Sequence, residues 1–335
     1  MKIAVDAMGG DNAPKEIIKG GIDAARLLRK GVEIVFIGPK ERIQREIEEN
    51  NGYNLPISTV NAEEVIDNNE SPVKAIKNKK NSSMVIGLNL LKNKEVDAFI
   101  SAGSTGAFMA GALLITGRIK GIDRPALASV IPTIKGGILL LDMGANTDVK
   151  PKNLLQFAVM GSIYSNKVLG IKNPKIALLN VGKEQEKGNL VTKEAYKLLC
   201  NEPSINFIGN MEAREILQGN ADILVCDGFS GNILLKAIEG VATTFFSVLK
   251  EEIKTSYISQ LGGLLIKSHL KKFKKKFDYS EHGGAPFLGI KGVCIKCHGS
   301  SDASAIKNAI LKGETYVEKN IIESFIKEFS DEGAI

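Results

Sequence analysis

The sequence predicts an α/β protein: a mostly parallel sheet with helices on both faces. Three observations predict it. Strand-like and helix-like runs alternate almost throughout the 335 residues, as in βα units. Five short apolar runs rich in Ile, Val and Leu read as buried strands. Each of these runs ends in a small, polar, glycine-containing turn: IAVDAMGGDNAP (3–14), AFISAGSTGA (98–107), ILLLDMGANTD (138–148), IALLNVGKEQEKGN (176–189) and ILVCDGFSGN (223–232).

Taken in order, Pro14 opens a helical run to about Lys30, because Pro suits the first helical position. VEIVFIG (32–38) is the next strand, and a charged helix over 40–50 follows it. Ser71-Pro72 reads as an N-cap with Pro at the first helical position, ahead of two short helices over 72–93. The apolar run from SAGSTGA to Arg118 reads as a buried helix with its amino end at the strand edge. Helices over about 152–168, 190–200 and 229–253 follow the later strands. GVCIKC (292–297) reads as a strand whose Cys294 and Cys297 point to opposite faces. The tail, 302–328, is expected to be helical with a break near Gly313. No repeat or low-complexity linker divides the chain. One large α/β domain over 1–335 is expected, or two intimate lobes parting near 125–150.

Residues 255–277 differ from the rest. Ile266, Leu270, Phe273 and Phe277 form one helical stripe, and Ile258, Leu261 and Leu265 form another. Gly262-Gly263 is expected to bend the segment, and lysines cover its other face. Three readings stand: packing on the protein's own core or a dimer mate, an anionic bilayer surface, or an acidic protein partner. On the membrane reading Leu261, Leu265, Lys271, Lys272 and Phe273 make the contact.

Charge and composition narrow the function. The net charge is +6, and residues 267–276 alone hold six lysines and no acid, so the remainder is balanced. Trp is absent and aromatics are 6%; with a neutral body, nucleic-acid binding is disfavoured. No apolar run approaches the roughly 18 residues a bilayer span needs, and no signal peptide is evident. With four cysteines, a reducing cytoplasm is the default. No two glycines stand two apart, so a G-x-G-x-x-G fingerprint is excluded, and P-loop and G-x-S-x-G motifs are absent. Three histidines make a His-rich metal site unexpected. Cys294-Ile-Lys-Cys297-His298 spells a haem-attachment string but lacks the export signal such chemistry needs.

Strand carboxyl ends border the binding crevice of an open α/β sheet. Asp6, Gly10, Ser104, Thr105, Asp142, Asn146, Asn180, Lys187, Asp227 and Asn232 are therefore expected to converge. The turn His298-Gly299-Ser300-Ser301 opens the last helix, a natural anion site, with Ser301 as a plain N-cap as the competing reading. Helix capping is likewise the competing role of each Asp. Donor-rich turns suit a phosphate-like anion. No cysteine or serine nucleophile sits beside a base, so an external nucleophile such as phosphate fits.

The strings VDAMGGDNAP, SAGSTGA, RPA (124–126), DMGAN, NVGKEQEKGN, CDGFSGN, GGAPFLG (283–289) and HGSSDA run in order along nearly the whole chain. This set resembles the bacterial phosphate acyltransferases, the acyl-carrier-protein:phosphate transacylases of phospholipid synthesis. The resemblance implies a Rossmann-like α/β/α sandwich similar to isocitrate and isopropylmalate dehydrogenases, in a homodimer. It implies transfer of an acyl group from acyl carrier protein to inorganic phosphate, a chemistry that requires no cofactor or metal. The acyl phosphate would feed a membrane glycerol-3-phosphate acyltransferase. A cytoplasmic enzyme at the membrane surface is then expected. Lys187 is the expected charge neutraliser. Ser104, Asn146, Asn232 and His298–Ser301 would hold phosphate or the oxyanion, with Asp227 and Asp6 orienting Lys187 and loop amides. The rivals are a metal- and NAD(P)-dependent decarboxylating dehydrogenase and a non-catalytic membrane or carrier-protein adaptor.

Overall fold

The computed structural model describes residues 1–276 and 283–330, with backbone alone over 271–276 and at 330. Its strands are β1 (Lys2–Asp6), β2 (Glu33–Gly38), β3 (Ile57–Asn61), β4 (Ala98–Ser101), β5 (Ala126–Leu127), β6 (Ser129–Thr133), β7 (Gly136–Leu141), β8 (Lys175–Asn180), β9 (Asn206–Glu212), β10 (Ile223–Val225), β11 (Ala285–Leu288) and β12 (Val293–Lys296). The helices are α1 (Lys15–Ala25), α2 (Lys40–Glu49), α3 (Pro72–Asn78), α4 (Ser83–Lys92), α5 (Thr105–Gly111), α6 (Pro151–Tyr164), α7 (Leu190–Cys200), α8 (Gly228–Lys254), α9 (Tyr257–Lys276), α10 (Ala303–Glu318) and α11 (Ile321–Ser330).

The strands form two sheets. The first has the order β3-β2-β1-β4-β12-β11-β5, the second β6-β7-β10-β8-β9. Pairing is parallel in both except along β11, which runs antiparallel to β12 and β5, and at β6, antiparallel to β7. The strands β3, β5, β6, β9 and β11 are not evident from periodicity. β6 carries Pro132, a residue confined to edge strands, and it is the edge of the second sheet. β5 has only two residues.

Helices cover the apolar faces of the first sheet. On one face α1 meets α10 so closely that a Cβ on Gly20 would lie 2.6 Å from the Ala303 carbonyl oxygen. The other face packs Phe99, Phe108 and Phe287 edge to face. Cys294 and Cys297 belong to cores on opposite faces of the sheet, as a strand requires.

Several helix boundaries differ from expectation. α1 ends at Ala25, short of Lys30. The tail does not break at Gly313, which is buried inside α10 near Ile100 and Ile295. It breaks after Lys319, where Asn320 takes a left-handed φ of 48°, the usual helix stop. Gly262-Gly263 does not interrupt α9. A Cβ on Gly263 would lie 2.4 Å from Ile253 Cγ2, so this glycine allows close contact with α8, and the turn falls at Thr255–Ser256. The side chains of Lys271, Lys272 and Phe273, and the whole of Phe277, lie outside the described residues. Contrary to the composition-based reading, α8 is long and apolar enough to cross a membrane. Its first turns, however, are held in the protein body, with Gly228, Gly231 and Leu235 buried.

The chain passes from the first sheet to the second through Ala128, between β5 and β6. Asp142, fully buried after β7, anchors this crossing. Its Oδ1 accepts from the backbone N–H groups of Leu127 (2.9 Å), Gly144 (3.2 Å) and Ala145 (3.1 Å). Its Oδ2 accepts from Asn146 N (2.7 Å) and Nδ2 (2.9 Å). Met143 N–H donates to the Leu127 carbonyl at 2.9 Å. Replacing Asp142 with Ala strands several buried donors, each worth about 1–3 kcal/mol when unsatisfied. The expected loss is about 3 kcal/mol or more, read as a lower urea midpoint at unchanged slope.

Candidate active site

Each expected site residue stands at a strand end, but the residues fall into three groups. The first lies at the carboxyl edge of the first sheet. Asp6, buried at the end of β1, accepts from Ser101 Oγ at 2.7 Å and Met8 N–H at 3.2 Å. Ser101 Oγ in turn accepts from Gly103 N–H at 3.0 Å. Burial raises the Asp6 pKa, against the bonds from Ser83 and Ser101 that lower it. Asp6 therefore shapes the turns around it, and the backbone crowds it: a Cβ on Gly9 would meet Asp6 Oδ2 at 2.6 Å. Gly10, at φ 104°, lets the chain approach the Gly299 carbonyl, and Asp11 N–H donates to that carbonyl at 2.8 Å. The β1 turn and the His298–Ser301 turn are thus one unit. Ser104 caps α5 at its Ala107 N–H, a long contact of 3.5 Å.

The His298–Ser301 turn is built differently from expectation. Asp302, not Ser301, is the N-cap of α10, accepting from Ala305 N–H at 2.8 Å. Glu16 of α1 accepts from Ala303 N–H at 2.9 Å. Two amides at this helix start are thereby held by the protein's own carboxylates rather than left for an anion. His298 Nδ1 contacts Ser300 Oγ at 2.8 Å. Burial, then the positive charge of Lys296, lowers the His298 pKa.

The second group surrounds Asp142. The Asn146 amide is committed to Asp142 and to the Pro125 carbonyl, at 2.7 Å from the latter. Asp227 is the N-cap of α8, accepting from Ser230 N–H at 2.8 Å and Ser230 Oγ at 2.9 Å. These contacts are the capping and amide-holding ones; no described hydrogen bond or ion pair joins Asp227 to Lys187. Asn232 sits one turn further on, half-buried, beside Gly144.

Asn180 and Lys187 form the third group, after β8. Asn180 Nδ2 donates to the Lys187 carbonyl at 3.1 Å, closing the loop. The Lys187 side chain is exposed. No described hydrogen bond or ion pair joins it to the other two groups.

The first group borders a cavity of about 100 Å³ between the sheets, and none of Asp142, Asn146, Asp227 and Asn232 lines it. It is lined by Thr105, His298 and Ser301 from the expected set, and by Leu127, Met143, Leu235 and Ala285 as apolar walls. Two charged residues that the motifs do not single out also line it. Glu239 of α8 has its pKa raised by burial. Lys296, the last residue of β12, is 7% exposed. The available signal for Lys296 was a lysine inside an otherwise apolar strand. Asn232, Leu235 and Glu239, spaced three and four apart, share one face of α8. Among the described residues no three His, Cys, Asp or Glu side chains gather as a metal site would require.

This architecture is found in solved structures. A phosphotransacetylase from Streptococcus pyogenes aligns with TM-score 0.63 at 19% identity, covering 95% of this chain and 94% of that one. EutD phosphotransacetylase from Staphylococcus aureus aligns with TM-score 0.59 at 17% identity, with the same coverage. The fold is thus shared with these two enzymes. At the sequence level, the family described as "Fatty acid synthesis protein" matches residues 1–324. The phosphate acyltransferase of Clostridium tetani (strain Massachusetts / E88) is 53% identical over 328 residues, 98% of each chain. That of Clostridioides difficile (strain 630) is 50% identical over 336 residues, 99% of this chain and 98% of its own. The chain belongs to the phosphate acyltransferase family and is an acyl-transfer enzyme.

If Asp227 serves as a cap, Asp227→Ala costs about 1 kcal/mol of stability, while Asp227→Asn, an equally good cap, stays within a few tenths. Thermal unfolding of the two variants checks this.

Proposed function

We propose that the protein catalyses phosphorolysis of an acyl thioester carried by acyl carrier protein, giving acyl phosphate and free carrier for phospholipid synthesis. One observation carries this reading. A single cavity joins apolar walls to a buried lysine and to hydroxyl and imidazole groups, as an acyl group meeting a small anion requires. A phosphate oxygen attacks the thioester carbonyl, forming a tetrahedral oxyanion. The C–S bond then breaks and its electron pair leaves on sulfur. A thiol pKa near about 8.5 makes thiolate a tolerable leaving group without a strong general acid. The harder task is to bring an anion to a carbonyl and stabilise the added charge, which positioned donors and cations perform. No cofactor is needed.

In this reading Thr105, Ser301, His298 and Asn232 contact phosphate or the thioester oxygen. Asp6, Gly10, Ser104, Asn146, Asn180, Gly299, Ser300 and Asp227 hold the turns. Lys187 takes an outer role, attracting anionic substrates from an exposed loop where water and salt screen its charge. The finer fold assignment, a Rossmann-like sandwich related to isocitrate and isopropylmalate dehydrogenases, belongs to the same proposal. So does a working unit of one large domain over 1–335 or two intimate lobes.

The pair α8–α9 supports a homodimer and a place at the membrane surface. Val241, Phe245 and Val248 of α8 and Tyr257, Ile258, Leu261, Leu264 and Leu265 of α9 are all exposed apolar side chains. A face this apolar marks an interaction site. We assign α8 to the partner copy and α9 to an anionic cytoplasmic membrane surface. There acyl phosphate passes to a membrane glycerol-3-phosphate acyltransferase. Pelleting with anionic vesicles is expected to fall at least tenfold in Leu261→Asp/Leu265→Asp, with thiol release from soluble substrate near normal. Unchanged pelleting rules this surface out.

The test of the reaction is thiol release from a long-chain acyl-carrier protein, with and without inorganic phosphate. Phosphate-dependent release with a hydroxylamine-trappable acyl product is expected. A hydroxy-acid-dependent reduction of NAD(P) with Mg²⁺ would instead favour the dehydrogenase reading. Carrier binding without turnover would favour an adaptor.

A further inference from the structure

We propose that Lys296 is the catalytic cation of this site: its ammonium grips inorganic phosphate in the cavity and stays beside it as the tetrahedral intermediate forms. The inference rests on the phosphorolysis reading above, and it places the neutralising charge on a buried strand residue rather than on the Lys187 loop.

Position is the first argument. Lys296 ends β12 and pairs in register with Ser101 of β4, whose hydroxyl is bonded to Asp6. The lysine therefore stands at the carboxyl edge of the first sheet, where such sheets bind ligands. The residues that follow it, Cys297 and His298, line the same cavity, with Thr105 and Ser301.

The charge of Lys296 is unbalanced. The Lys296 Nζ donates to the main-chain carbonyls of Ala102, at 3.4 Å, and Cys297. Carbonyls accept hydrogen bonds but do not neutralise a cation. The third N–H has no acceptor among the described residues, and no described ion pair includes Lys296. A buried cation without a contacting anion is costly. Its retention in a cavity with apolar walls Leu127, Met143, Leu235 and Ala285 points to an anion that arrives from outside. Those walls also lower the local dielectric and so strengthen the attraction.

The surroundings tune this lysine. Burial brings its pKa down to about 8, opposed by Cys297, Asp6 and Asp11. The other charged groups of this region are His298 and Glu239, with Lys236 of α8 acting on His298 and Lys312 of α10 on Cys297. His298 titrates below its ordinary range, so it is neutral where Lys296 loses its proton. A depressed lysine pKa means the cation is present below about pH 8 and lost above it. Phosphate affinity is therefore expected to fall as pH rises through that value.

The step itself is balanced without proton transfer from the lysine. The phosphate O–C bond forms, the C–S bond breaks, and thiolate departs to take a proton from water. Lys296 remains protonated throughout and shields both the incoming anion and the new oxyanion.

The experiment uses the full-length protein, with Lys296→Met and Lys296→Arg beside the parent chain. Initial rates of thiol release are measured against phosphate concentration from pH 6 to 9.5. Inorganic phosphate binding is followed separately by calorimetry, in the absence of carrier substrate. Lys296→Met is expected to lose about 10²–10³-fold in kcat/KM for phosphate, the scale of one lost oxyanion partner. Its KM for the acyl carrier should stay within about threefold, and its calorimetric phosphate signal should disappear. Lys296→Arg, charged at all these pH values, should keep measurable binding and lose the fall near pH 8. Exchanging an unpaired buried charge for an isosteric apolar chain is neutral or stabilising, so the urea midpoint of Lys296→Met should match or exceed that of the parent. Phosphate saturation and binding unchanged in Lys296→Met overturn the proposal, as does a loss that only follows a lowered urea midpoint. If the parent chain binds phosphate but releases no thiol, the reaction reading fails, and the binding arm still decides the role of Lys296.

Discussion

The carboxylate of Asp142 is the interaction on which the rest of the site depends. It accepts five hydrogen bonds where the chain crosses from one sheet to the other. One of them holds Leu127, and Leu127 in turn holds Met143; both residues are walls of the cavity. The start of α8 rests on the same turn: a Cβ on Gly231 would come within 2.0 Å of the Asp142 carbonyl oxygen, and one on Gly228 within 2.8 Å of its Oδ2. Burial raises the pKa of this group while its donors lower it. The donors offset burial because each is a fixed backbone or amide N–H already aimed at it.

Most acidic residues around the cavity are spent on structure. Asp227 and Asp302 cap helices, Glu16 completes the second cap, and Asp6 fixes the turns at the end of the first sheet. Their negative charge satisfies amides that an anionic ligand would otherwise find free. On the proposed reading an anion is drawn by the cationic side, where a lysine held within the cavity is better placed than one in water. Electrostatic attraction grows as the surrounding dielectric falls.

Beyond the cavity, α8 changes character along its length. Its first two turns are wedged against the second sheet, and further along it exposes Val241, Phe245 and Val248. The same helix therefore lines the cavity through Leu235 and Glu239 and carries the exposed face shared with α9.

Much of the fold was legible in the sequence, and less of the site. The five apolar runs ending in polar turns are all strands, because buried β segments must be apolar and their exits must be polar. Pro72 at the first helical position and the two short helices also stand as read, while Ser71 precedes them without a side-chain capping bond. Edge strands such as β3 and β6 were not legible, since β3 is only partly buried and lacks a sharp period, while buried β6 mixes Ser129, Pro132 and Thr133 into its apolar run. The break at Asn320 and the unbroken α9 depend on which side chain packs against which neighbour, as Ile253 does on Gly263. Local sequence also identified Asp6, Asn146 and Asp227 as special and raised capping and amide-holding roles for the two Asp residues, but only the structure shows which amides they hold. The sequence by itself determined the elements, the polar turns and the family motifs, because periodicity and turn chemistry are local. Only the tertiary structure decided that Lys296 shares a cavity with Thr105, Ser301 and α8 while Lys187 stays in water. Burial and dielectric arise from residues far apart in the chain, and no local pattern encodes them.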